Sequence, residues 1–176
     1  MQRRVAGVAV AIGAVLAVMT AGCSSTTDGA ATSTTSDAAA AVWDPCTGIP
    51  ESALTGAKVD PSTKQSGIAG VHQSGWEICG WKGAKYAITV YSTAKHSPQE
   101  IANKAGNIEQ RPVTMAGRQG TEFGEQGADR NCDVVFQTSQ GSVQLQVIGR
   151  LSDDVPIDPC PTLANIGDSI VPSIPQ

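Results

Sequence analysis

A chain of 176 residues with 12 Lys+Arg against 16 Asp+Glu carries a formal net charge of −4. It has no basic stripe with which to neutralise phosphates, and this argues against nucleic acid as a partner. Aromatic residues make up 4% of the chain and are too scattered for a base-stacking platform.

The first element in chain order is a leader. Arg3 and Arg4 form a basic n-region, Val5 to Thr20 an uncharged apolar run, and Ala21-Gly22 lead up to Cys23. The run is too short and wrongly flanked for a transmembrane helix and reads as a secretory signal over residues 1–22. The small pair before Cys23 resembles a bacterial lipoprotein signal, although Thr20 stands where that class prefers Leu. The resemblance implies that the Cys23 thiol is acylated and becomes the new N-terminus. Each buried methylene of an acyl chain contributes about 0.8 kcal/mol, so two chains, palmitate among them, hold a protein stably at the outer face of the cell membrane. Loss of Arg3 and Arg4 with the signal leaves 10 basic against 16 acidic residues, a net charge near −6.

From Cys23 through Ala41 the sequence is Ser, Thr, Ala, Gly and Asp, with nothing bulky and apolar to offset ordering entropy. It is expected to be a disordered tether with an end-to-end distance of roughly 25 Å.

Residues 42–176 fit one domain. Its four cysteines, Cys46, Cys79, Cys132 and Cys160, form an even set with no Cys-x-x-Cys pair, as expected of two disulfides in an exported chain. Asp44-Pro45-Cys46 and Asp158-Pro159-Cys160 each combine a favoured N-cap with Pro at the first helical position, so each should start a helix. The first helix should run from Pro45 to about Leu54. The last should carry Leu163, Ile166, Ile170 and Val171 on one side and stop at Pro172.

Between these helices, Lys58 to Gly75 reads as a loop with room for one short strand. Trp76–Trp81 and Tyr86–Ser92 read as strands joined through Lys82-Gly83-Ala84-Lys85. Ser97-Pro98-Gln99-Glu100 is a capping box opening a helix that breaks near Gly106. Strands follow at Arg111–Met115 and Gln119–Phe123, turned by Ala116-Gly117. Asn131–Thr138 and Ser142–Gly149 form the clearest hairpin. There Val143, Leu145 and Val147 alternate with Gln144 and Gln146, one face dry and the other wet. The order helix, two strands, helix, four strands, helix implies an α+β fold, an antiparallel sheet whose apolar face is covered by helices.

Trp43-Asp44-Pro45-Cys46, Gly75-Trp76, Cys79-Gly80-Trp81, Ala116-Gly117-Arg118, Cys132 and Asp158-Pro159-Cys160, in that order and spacing, resemble the DUF3558 lipoproteins of mycobacterial-type actinobacteria. The resemblance covers the domain and the leader. It supports the cysteine framework and implies no catalytic residue, cofactor or metal. The element order is in turn similar to PsbP/Mog1-like sandwiches. For the disulfides, Cys46–Cys79 with Cys132–Cys160 would tie each terminal helix to a strand it covers. Cys46–Cys160 with Cys79–Cys132 stays open as the rival.

Chemistry is hard to find in the sequence. His72 and His96 read as solvated loop residues; Glu122, Glu125 and Asp129 could form paired carboxylates, but a Gly-rich acidic turn explains them as well; and Glu51 reads as a surface position. No nucleophile elbow or phosphate-cradling glycine run is present. Three residues are candidates for contact with a ligand or partner. Trp76 and Trp81 lie five apart on one strand and point to opposite faces, so one should be core and the other line a cleft. Arg118 is placed either to hold an anion or to pair with a carboxylate.

The expected function is therefore that of a membrane-anchored envelope lipoprotein, a non-enzymatic binding or accessory module. Its expected partners are membrane lipid through Cys23 and an envelope protein or small ligand. Two other readings stay open: an envelope hydrolase or transferase assembled from distant residues, and a purely structural lipoprotein. Convergent pKa-perturbed groups in a pocket would favour the enzyme, a shallow apolar cleft the binding module, and no concave site the structural role.

Overall fold

The computed structural model describes residues 42–151 and 156–176, so the expected signal, Cys23 and the tether lie outside the described residues. Asp44 opens α1 (Pro45–Gly48), its Oδ1 accepting from the Cys46 N–H at 2.8 Å. Pro50 then interrupts the expected single helix, and α2 (Glu51–Gly56) continues separately. Trp43 packs against the core over Gly48, where a Cβ would stand 2.1 Å from the indole Nε1, so only glycine fits.

The remaining elements are β1 (Val59–Ser66), β2 (Glu77–Gly83), β3 (Tyr86–Thr93), α3 (Pro98–Ala102), β4 (Asn107–Met115), β5 (Arg118–Glu125), β6 (Asn131–Thr138), β7 (Gly141–Gly149) and α4 (Pro159–Ile170). A short 3-10 turn, Val171–Ser173, closes the chain. The strands form one seven-stranded sheet in the order β1-β2-β3-β7-β6-β5-β4. Every pair is antiparallel.

β1 is longer than the one short strand for which the sequence left room between Lys58 and Gly75. It is an edge strand on which only Val59 is buried, so polar residues occupy positions that an inner strand would fill with apolar ones. Pro61 sits where its register shifts, between Asp60 and Gln65. The β4–β5 turn matches expectation: Ala116 and Gly117 both take positive φ, 49° and 77°, as a two-residue hairpin turn requires.

Alternate residues of the inner strands build the core on one face of the sheet. Trp81, Ile88, Val90, Val134, Phe136, Val143, Leu145 and Val147 are buried against Leu54 of α2 and Leu163, Ile166 and Ile170 of α4. Two disulfides fasten these helices to the sheet. Cys46–Cys79 joins α1 to β2 and Cys132–Cys160 joins β6 to α4, with Cα separations of 5.1 Å in both. This is the pairing that ties each terminal helix to its strand. Asp158 precedes α4 as expected but makes no side-chain cap; its carbonyl instead accepts from Thr162 Oγ1 at 2.6 Å. Among the described residues no helix is long and apolar enough to cross a membrane.

Candidate functional site

Among the described residues, the opposite face of the sheet carries no long helix. Its side chains follow from the register: Gly80, Thr89, Gln146, Asp133 and Phe123 lie side by side across β2, β3, β7, β6 and β5. Next to them run Ile78, Tyr91, Gln144, Val135 and Thr121. The two glutamines are the wet face legible in β7. The signal that was missed is Asp133, a carboxylate inside the otherwise apolar run Cys132–Phe136.

From these rows Ile78, Tyr91, Gln144, Gln146, Asp133 and Phe123 form the floor of a cleft of about 570 Å³. Cross-strand contacts, one direct and two diagonal, link the floor. Tyr91 Oη donates to Gln146 Oε1 at 3.0 Å. Gln146 Nε2 donates to Asp133 Oδ2 at 3.3 Å, and Gln144 Nε2 to Asp133 Oδ1 at 2.7 Å. Asp133 is 2% exposed. Burial pushes its pKa up to about 6 against the pull of the two amide donors, and Glu125 adds to the rise. Burial, and secondarily the Asp133 charge, pushes the Tyr91 phenol up to about 12.

The walls are aromatic and apolar. Trp76 meets Tyr91 edge-on at 6.4 Å and stacks on His96 at 5.5 Å. Ile101, Ala102, Phe123 and Val135 pack beneath Trp76 as a small second core. α3 holds this wall through the expected capping box: Ser97 Oγ accepts from the Glu100 N–H at 3.2 Å, and Glu100 Oε2 accepts from the Ser97 N–H at 2.7 Å. Ser97→Ala should cost about 1 kcal/mol of local stability. Hydrogen exchange should then show faster opening at the Ile101 and Asn103 amides, with β6 and β7 unaffected. Equal protection in both proteins would show that the cap does not hold the wall. A smaller hollow of about 230 Å³ adjoins the cleft past Tyr91 and Ile68, over Gly80, Ala87 and Thr89.

The sequence candidates separate cleanly. Trp76 lines the cleft, while Trp81 is 1% exposed in the core and offers no surface to a partner. Arg118 neither stands open to an anion nor pairs with a carboxylate. Its guanidinium donates to the carbonyls of Gln137, Ile174 and Pro175 and lies over the Phe136 ring, clasping the C-terminal segment. His72 is exposed as expected, whereas His96, also exposed, forms part of the cleft wall. Glu122 is not a turn residue: it is buried on β5 and pairs with Arg111. Glu122, Cys132 and Cys160 bring ligand atoms within 4.8 Å of one another, but the disulfide consumes both sulfurs.

The fold and cleft together define a disulfide-braced α+β domain with a ligand-sized hollow on the open face of one antiparallel sheet. The chain belongs to the DUF3558 family, described as a protein of unknown function, whose pattern matches residues 18–173. That span takes in every described helix and strand and both bridges. No curated protein and no solved structure matches the chain.

Proposed function

We propose that the protein is a lipid-anchored binding module of the cell envelope, held at the outer face of the membrane through acylated Cys23, which takes a small ligand into the sheet-face cleft without transforming it. The observation that carries this reading is the cleft itself. Its volume of about 570 Å³ falls in the range of small-molecule sites, and its aromatic walls over a few convergent polar groups are the usual makeup of one. The purely structural role was expected to go with no concave site, so the cleft counts against it. The anchor rests on the leader sequence and Cys23. The layering of helices on an antiparallel sheet is also the basis for reading the domain as PsbP/Mog1-like.

The enzymatic reading has one observation in its favour: Asp133 and Tyr91 are both perturbed and both face the cleft. Burial accounts for both shifts, however. The carboxyl is bonded to two amides rather than to a nucleophile or a base, and His96 is engaged on Trp76. These groups are arranged to hold.

Crosslinking and pull-down from intact cells test the proposal, using the natural chain, Cys23→Ser and Trp76→Ala. Cys23→Ser should move the protein from the membrane to the soluble fraction. Trp76→Ala should stay in the membrane and lose the captured ligand. Membrane retention of Cys23→Ser would sink the anchor, and undiminished capture by Trp76→Ala would sink the cleft as the site. Mass spectrometry of the ligand after incubation separates holding from turnover, since a binding module returns it intact.

A further inference from the structure

Asp133 is a carboxylate almost wholly removed from water, and the described residues give it no cationic partner. The ion pair found among the described residues is Arg111–Glu122, on β4 and β5. The other charged side chains around the cleft are Glu100 from α3, Lys104 just beyond it and Glu125 from β5, with His96 before the Ser97 cap. Three acids therefore face one lysine, and that lysine is exposed.

The hydrogen bonds of the floor have a direction. Tyr91 donates to Gln146, and both glutamine amides donate to Asp133. The chain of donors ends on the carboxylate, whose remaining lone pairs are left to accept from a ligand. Tyr91 in the floor and Trp76 in the wall present aromatic rings beside them, with one face of Trp76 stacked on His96, and aromatic faces attract positive charge. A metal ion would need several ligands converging on one point, and among the described residues the His, Cys, Asp and Glu side chains that converge in this way are Glu122, Cys132 and Cys160, away from this cleft.

The geometry points to a small organic cation as the ligand class: a protonated amine on an apolar body, its ammonium at Asp133 and its body against Trp76 and Tyr91. This inference rests on reading the cleft as a ligand site. It explains why a carboxylate is buried there without a counter-charge: the ligand supplies the missing charge and donors.

The test uses three probes with one apolar body and three heads: 4-phenylbutylamine, 4-phenylbutan-1-ol and 4-phenylbutanoate. Each is titrated calorimetrically at pH 7.5 into the full chain carrying Cys23→Ser, which keeps membrane partitioning of the amine out of the measurement. The amine should bind at least tenfold more tightly than the alcohol, and the carboxylate more weakly still. Asp133→Asn should bring amine and alcohol to within about threefold of each other while leaving the alcohol nearly unchanged. Trp76→Ala should weaken amine and alcohol alike. If the alcohol or the carboxylate matches the amine, the cation proposal is overturned and the cleft still stands as a site. If no probe binds, or Trp76→Ala changes nothing, the cleft reading falls and the cation proposal with it.

Discussion

Replacing both Cys132 and Cys160 with alanine should lower unfolding stability by roughly 3.5 kcal/mol. The bridge closes a loop of sequence separation 28, and the Cys46–Cys79 bridge one of 33. The loop-entropy relation gives each a contribution of roughly 3.5–4 kcal/mol, depending weakly on length. The two loops do not overlap along the chain, so the losses should add to roughly 7 kcal/mol. That is comparable with the whole stability of an ordinary domain, about 5–15 kcal/mol. The doubly reduced domain should therefore be largely unfolded at 37 °C. Alanine is the right replacement because Cys79 and Cys132 are fully buried, and a serine hydroxyl there would add an unpaired polar group. Denaturant titration with and without reductant measures the effect. A midpoint unmoved by reduction would show that packing alone holds α1 and α4 to the sheet.

The second large effect has the opposite sign. Asp133→Asn should stabilise the protein at neutral pH by about 2 kcal/mol. The folded-state pKa is raised to about 6, above an unfolded value of about 3.9. Below about pH 4 both states hold the proton and the residue is neutral to stability. As pH rises towards 6 the unfolded chain releases its proton first, so stability falls through that window. Above pH 6 the full penalty persists. Two pKa units correspond to about 3 kcal/mol, and a poorer fit of the Asn amide against the Gln146 donor takes back part of the gain. The advantage of Asp133→Asn over the natural chain should shrink as pH falls from 6, cross zero between about pH 4 and 5, and give way to a deficit of about 1 kcal/mol below pH 4, where only the poorer fit of the amide is left. A variant less stable than the natural chain at pH 7.5, or a gap independent of pH, would refute the assignment. A group that weakens the fold at working pH is expected where a site is kept for binding rather than for stability.

The stability framework was legible because it is written in local signals. Asp-Pro-Cys marks helix starts, Ser97 to Glu100 encodes a cap, and the alternation of Val143, Leu145 and Val147 marks a half-wet strand. Period-two parity even separated Trp76 from Trp81. The cleft was not legible, because its members meet only through register. Tyr91 and Gln146 lie 55 residues apart, and nothing in either strand alone names the other. The extent and place of β1 were not legible for a related reason: an edge strand has a single neighbour and little core to face, so its residues need not alternate. The break at Pro50 was not legible because the apolar spacing of Ile49, Ala53 and Leu54 continues across it. Arg118 could not be assigned from its neighbours at all, since it grips carbonyls at the far end of the chain.

Both covalent braces and the long helix α4 lie on one side of the sheet, with the cleft on the other. On the binding reading proposed above, the molecule is a chassis with a tool face. Substitutions in the 67–75 loop or around the rim of the cleft would retune what is gripped and leave the bolted side, with its two bridges, in place. Diversification of cargo and robustness of the frame would then fall to opposite surfaces.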